Sequence, residues 1–176
     1  MPSISRLTDP MFGSPPVLAI FSDTGTVRRM LDAEAALARA EAHCGVIPAQ
    51  AAAVITEVCA DVGVIDLDAL AQSAVAAGNL AIPFVKQLTA AVARRDAEAG
   101  RYVHWGATSQ DIIDTGAVLQ LADALHAIDA DLLRLGDACA TLATVHRATP
   151  MACRASASCS TAPVSMMSWL VAPQWT

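Results

Sequence analysis

Aromatic side chains are scarce in this chain, 4% of its residues, although 55% of the residues are hydrophobic. A core with so few rings must close on small aliphatic groups, and an alanine- and leucine-rich composition packs helix against helix more readily than it builds a sheet sandwich. The expected fold class is therefore all-α. Basic runs are missing too. A net charge of −6 leaves no positive footprint for nucleic acid, and no Lys/Arg cluster suggests a membrane surface. The five cysteines, Cys44, Cys59, Cys139, Cys153 and Cys159, form no CxxC pair and are odd in number. That argues against a zinc site and a closed disulfide framework, and it fits a reducing cytoplasm. Met1 to Asp9 lack the features of a signal peptide, and no apolar run is long enough for a bilayer. There is no phosphate-cradling glycine loop, no His-Glu-x-x-His and no calcium loop. The expected chemistry needs no metal and no organic cofactor.

What is present is helical periodicity. Turn formers at Asp9-Pro10, Gly13-Ser14 and Pro15-Pro16 predict an irregular arm through Pro16. From Ser22 or Thr24, Val27, Met30, Leu31, Ala35 and Ala38 recur at helical spacing, with Asp32, Glu34 and Glu41 among the polar positions, until Gly45. Pro48 suits the first turn of a second helix that runs to Asp61-Val62-Gly63. Asp66 or Asp68 can cap a third, closed by Gly78-Asn79, and Ile82-Pro83 opens a fourth that ends near Gly100. Val118, Leu121, Leu125, Ile128, Leu132, Leu135, Cys139 and Leu142 then form a heptad seam, in which Cys139 is a core position and His126 lies on the flank. His43 suits the C-terminal end of the first helix. A mean hydropathy of +0.46 is high for a monomer, so other copies of the chain are the natural cover. The expected division is an amino-terminal helical domain, 1–107, a loop and long bundle helix, 108–150, and a tail, 151–176, with no apolar periodicity in its first half.

Between domain and seam lies Tyr102-Val103-His104-Trp105-Gly106-Ala107-Thr108-Ser109-Gln110-Asp111. Gly106 permits close backbone approach, Thr108 and Ser109 offer hydroxyls, and the first amides of the following helix favour an anion such as a carboxylate. The same residues also suit a plain helix cap, and the two roles can coexist. His104 could bind a carboxylate, transfer a proton, or be satisfied inside the core. Asp111 and Asp114 suit the helix dipole better than base catalysis. A Ser109-His104-Asp111 triad is disfavoured, because the three crowd one loop without a nucleophile elbow.

Thr108-Ser109-Gln110-Asp111 before a long helix resembles the first shared region of the fumarase/aspartase superfamily. Ile20-Phe21-Ser22-Asp23, Met30-Leu31-Asp32 with Glu34 through Glu41, Ala77-Gly78-Asn79 with Ala81-Ile82-Pro83, and Arg101 through Gly116 more narrowly resemble the bacterial 3-carboxy-cis,cis-muconate cycloisomerases. The resemblance implies a long-helix bundle, a homotetramer with sites shared between subunits, and no cofactor. It implies lactone closure on a small tricarboxylate during protocatechuate breakdown, with Thr108, Ser109, His104 and Asn79 as substrate-binding residues and Asp111 and Gly106 as structural ones. Beyond Pro150 the chain departs from the family pattern: the Gly-Arg-Thr-x-Leu-Gln block and the mobile loop with the catalytic serine are not found. The expectation is a truncated or frame-altered chain with little activity alone and no assignable catalytic residue. An adenylosuccinate lyase-like enzyme and a non-catalytic helical oligomerisation module are the alternatives.

Overall fold

Ser22 joins two helices by serving both. In the computed structural model, which describes Leu7, Met11 and residues 13–147, its hydroxyl donates to the Ala19 carbonyl at 2.7 Å and accepts from the Gly25 amide at 3.1 Å. The first contact closes helix α1, Pro15–Ile20, and the second opens α2, Asp23–His43. Helix α1 corrects the expected arm at its end, because Pro15 and Pro16 occupy first-turn positions where a missing N–H costs no helical bond. Gly25 is required where α2 starts: a Cβ there would collide with the carbonyls of Ala19 and Ile20.

Helix α3, Ala49–Cys59, begins after Pro48, which takes the cap position rather than the first turn. The expected break is a 3-10 turn, Val62–Val64. Asp66 caps α4, Leu67–Ala77, by accepting from the Ala69 amide at 2.9 Å, and Gly78 closes it at φ 64°. Helix α5, Ala81–Arg95, stops short of Gly100. Its terminator is Asp96, which turns extended and whose carboxylate accepts from the amides of Glu98 at 2.9 Å and Ala99 at 3.1 Å. A second 3-10 turn, Ala99–Tyr102, follows. Every regular element among the described residues is helical, so the fold is all-α.

The core gathers Met30 and Leu31 of α2, Ile55 and Cys59 of α3, and Phe84, Leu88 and Val92 of α5, all fully buried. Each large apolar side chain there contributes about 1.5–3 kcal/mol relative to exposure. Helix α6, Ser109–Val145, joins this core through its first turns. Ile112 is buried in the core cluster, and Gly116 lies so close to α2 that a Cβ would sit 3.3 Å from Met30 Cγ. Gln120, only 6% exposed, donates from Nε2 to the Ile20 carbonyl at 2.8 Å and to Thr26 Oγ1 at 3.1 Å.

The apolar seam of α6 is uncovered. Val118, Leu121, Leu125, Ile128 and Leu132 are between 46% and 65% exposed. The chain divides into two compact units, up to Arg134 and from Leu135. In the second, described to Arg147, Leu135 and Leu142 are exposed. Cys139 is exposed as well, so among the described residues of this single chain these seam positions are not covered: an apolar stripe becomes a core only when another surface covers it. The tail 151–176, with Cys153 and Cys159, lies outside the described residues.

Candidate functional site

The start of α6 is held by a reciprocal cap. Asp111 Oδ2 accepts from the Thr108 amide at 2.7 Å and from the Thr108 hydroxyl at 2.8 Å. The Asp111 amide donates weakly back to Thr108 Oγ1 at 3.4 Å. These hydrogen bonds, with Thr108 as the main cause, hold the Asp111 carboxyl below its ordinary range. Ser109, the first residue of α6, is half-buried, and its hydroxyl makes no hydrogen bond among the described residues. The crowded triad is not assembled: Asp111 engages Thr108, and His104 turns elsewhere.

His104 turns to Glu34. Its Nδ1 lies 2.6 Å from Glu34 Oε1, with side chains 15% and 1% exposed. The two are 70 residues apart in sequence. Burial pushes the Glu34 carboxyl above its ordinary range, while the His104 ring and backbone amide pull it back. His104 has φ 59°, a left-handed conformation rare outside glycine. Gly106, at φ 69°, supplies a second such turn. Tyr102 and Trp105 flank the loop with ring centroids 5.6 Å apart.

Below the loop is an open cleft of about 280 Å³, lined by Ala33, Leu37 and Glu41 of α2, Trp105 to Ala107, and Asp111, Ile112 and Thr115 of α6. Glu41 Oε2 is buried without a hydrogen-bond partner among the described residues, and burial raises its carboxyl above the ordinary range while His104 opposes the rise. Asn79 is employed at another place. Its Oδ1 accepts from the Ala81 amide at 2.7 Å at the start of α5. A separate cleft of about 460 Å³, lined by Ser73, Ala76, Ala77, Ile82, Pro83, Lys86 and Gln87, flanks that junction. The structure thus groups His104, Gly106, Thr108, Ser109 and Asp111 on one loop and does not hydrogen-bond Asn79 to them.

Glu34 is the residue that sequence reasoning placed wrongly, among the polar positions. Its spacing did carry a signal: it follows Met30 by four and Leu31 by three, and so belongs to the apolar face of α2. A carboxylate on a buried stripe needs a partner. No metal-holding cluster of three or more His, Cys, Asp or Glu occurs among the described residues, and no helix there is long and apolar enough to cross a membrane.

Residues 11–171 match the profile of a family described as lyase, a match that runs past Pro150 into the tail. The chain is 53% identical over 152 residues to 3-carboxy-cis,cis-muconate cycloisomerase of Bradyrhizobium diazoefficiens, across 86% of this chain and 34% of that one. It is 46% identical over 150 residues to nitrosuccinate lyase of Streptomyces davaonensis, across 85% and 31%. Among solved structures, 3-carboxy-cis,cis-muconate lactonizing enzyme from Pseudomonas putida superposes with a TM-score of 0.72 at 52% identity, covering 76% of this chain and 30% of that chain. The chain spans about a third of the length of the curated relatives it matches.

Proposed function

The chain belongs to the lyase family, and from that premise we propose that it is part of a 3-carboxy-cis,cis-muconate cycloisomerase of the aromatic-catabolic protocatechuate route. The observation that carries this reading is the 53% identity to such an enzyme across 86% of the chain. In the reaction a carboxylate oxygen of the substrate adds to one carbon of a double bond, closing a lactone, and a proton is delivered to the adjacent carbon. Nothing leaves, so the change is an isomerisation. A substrate with three carboxylates needs donors around it. Thr108, Ser109 and His104 supply hydroxyls, helix-start amides and a ring nitrogen, and Asn79 completes the set from the α4–α5 junction of the same or another copy. The cap itself supports this use, because Thr108 already presents its amide and hydroxyl to one carboxylate oxygen, that of Asp111. A substrate carboxylate would share or displace that contact.

In this reading 108–150 is the loop and bundle helix, 1–107 the domain that positions it, and 151–176 an atypical tail. The enzyme is a cytoplasmic homotetramer, with the α6 seam as its shared core. The 176-residue chain spans about a third of the length of those relatives, and in this reading it binds a tricarboxylate weakly by itself and turns over negligibly. The test is lactone formation and tricarboxylate binding measured on one preparation, beside a Thr108→Ala, Ser109→Ala variant. Turnover at the rate of a whole cycloisomerase by the chain alone, or binding untouched by the double substitution, overturns the reading. Equal or better activity on adenylosuccinate by a full-length enzyme carrying this sequence overturns the substrate.

The exposed seam favours a second reading, a helical oligomerisation module with no site of its own. Light scattering separates them in part: a discrete monomer in dilute buffer counts against any seam-driven assembly.

A further inference from the structure

We propose that Glu34 is the positioning residue for His104: the buried carboxyl seizes the ring by Nδ1 and leaves Nε2 as the N–H that meets a substrate carboxylate. The inference rests on the carboxylate-site reading above and adds to it a residue outside the loop. Its ground is geometry. Glu34 is almost wholly enclosed on the core face of α2, His104 is mostly enclosed, and the contact between them is 2.6 Å. No hydrogen bond to Nε2 is made among the described residues, so the ring has one nitrogen committed to the protein and one uncommitted. A histidine without a fixed partner exchanges its two tautomers and turns about its side-chain bonds; a carboxyl at Nδ1 removes both freedoms.

The chemistry of the pair determines which kind of group Nε2 presents. If the pair holds two protons, one lies between Oε1 and Nδ1 and the other is on Nε2, and this is true whether the bridging proton belongs to the carboxyl or to the ring. If the pair holds one proton, it sits on Nδ1 against an ionised Glu34, and Nε2 is a bare lone pair that repels a carboxylate. The second arrangement puts an uncompensated negative charge inside the core, which is expensive. Burial favours the protonated pair, and so favours a donor at Nε2.

The test uses the 176-residue chain and tricarballylate as the probe. With four histidines in the chain, ¹⁵N-histidine spectra can be assigned with His104→Ala as the reference. The expected spectrum of the unaltered chain at neutral pH shows a proton on Nε2 of His104; a bare Nε2 would overturn the inference without any variant at Glu34. Next, Glu34→Leu keeps the apolar face filled, and Glu34→Gln keeps a polar partner for Nδ1. Tricarballylate affinity should fall about tenfold in Glu34→Leu, the size of one charge-assisted hydrogen bond, and by less in Glu34→Gln. In a His104→Ala background Glu34→Leu should change affinity by less than about twofold, since the ring through which it acts is gone. The same loss in both backgrounds would make Glu34 merely structural. Should the unaltered chain show the protonated Nε2 but fail to bind tricarballylate, the carboxylate site itself is overturned, and the role of Glu34 with it.

Discussion

Arg29 of α2 reaches Asp123 of α6, its Nε donating to Oδ2 at 2.8 Å across 94 residues of sequence. The guanidinium also holds Asp32 at 2.7 Å, so one cation ties the helix to itself and to the long helix. Both partners of the longer link are about a third exposed, and water screens much of the attraction. A double-mutant cycle with Arg29→Ala and Asp123→Ala should therefore give a coupling below about 1 kcal/mol, shrinking with added salt. The deeper tie is the buried Gln120, whose replacement by alanine should cost about 1–3 kcal/mol, because the part-buried Thr26 hydroxyl and Ile20 carbonyl lose their partner. Denaturant unfolding of the three variants ranks the two contacts, and a larger loss at Arg29 than at Gln120 would reverse the assignment.

His104 carries both a contact and a strained backbone, and the two can be separated. His104→Ala loses the Glu34 partner and keeps a side chain at φ 59°. His104→Gly loses the same partner but relaxes the backbone, which should make it the more stable variant by roughly 1–2 kcal/mol, less the entropy glycine adds to the unfolded chain. Thermal melts of the two decide it; equal stabilities would mean that the loop relaxes away from the left-handed conformation once the ring is gone.

The carboxyls predict opposite limbs of the pH profile. Glu34 and Glu41 are both raised above their ordinary 4.5, chiefly by burial. Groups raised on folding stabilise fully below the unfolded value, and that contribution is lost as pH rises through the folded value. Asp111 is lowered from 3.8 by the Thr108 contacts, so its contribution is present above that value and disappears as pH falls through the folded one. Urea midpoints followed upward from pH 4 should show less of the alkaline-side decline in Glu34→Gln than in the unaltered chain. Followed downward, Asp111→Asn should lose some of the acid-side decline.

Cysteine reactivity should follow enclosure. Cys44 and Cys139 are exposed, whereas Cys59 is buried and its thiol is pushed up to about 12, chiefly by burial. Brief alkylation near pH 8, read by peptide mass spectrometry, should label Cys44 and leave Cys59 untouched until denaturant is added. Early labelling of Cys59 would mean that the α2–α3 packing opens readily.

Association is expected through the uncovered stripe on α6. Leu125→Glu with Leu132→Glu puts charge on two of its exposed positions, 65% and 60% accessible. Sedimentation or light scattering against concentration should show weaker self-association in the double variant and an unchanged helical spectrum. Unaltered association would move the interface to another face.

Several helix boundaries were legible in the linear chain because the cap lies within a few residues of what it caps. Ser22 serving Gly25, Asp66 serving Ala69 and Gly78 at its left-handed turn need no distant neighbour, so residue type and spacing suffice. The Thr108 loop and its all-α setting were legible for the same reason. The end of α5 was not, because helix propensity carries on through Ala97 to Ala99 and only the Asp96 side chain, folding back onto Glu98 and Ala99, diverts it. Glu34 and His104 meet only when α2 and the loop are packed together, a closure over 70 residues that no local rule encodes. Burial on α6 was decided in the same way: periodicity places apolar side chains on one stripe, but whether the stripe becomes core depends on which surface is laid against it, and among the described residues the buried positions of α6 are Ile112, Gly116, Gln120 and Ala124 while the seam from Val118 stays exposed.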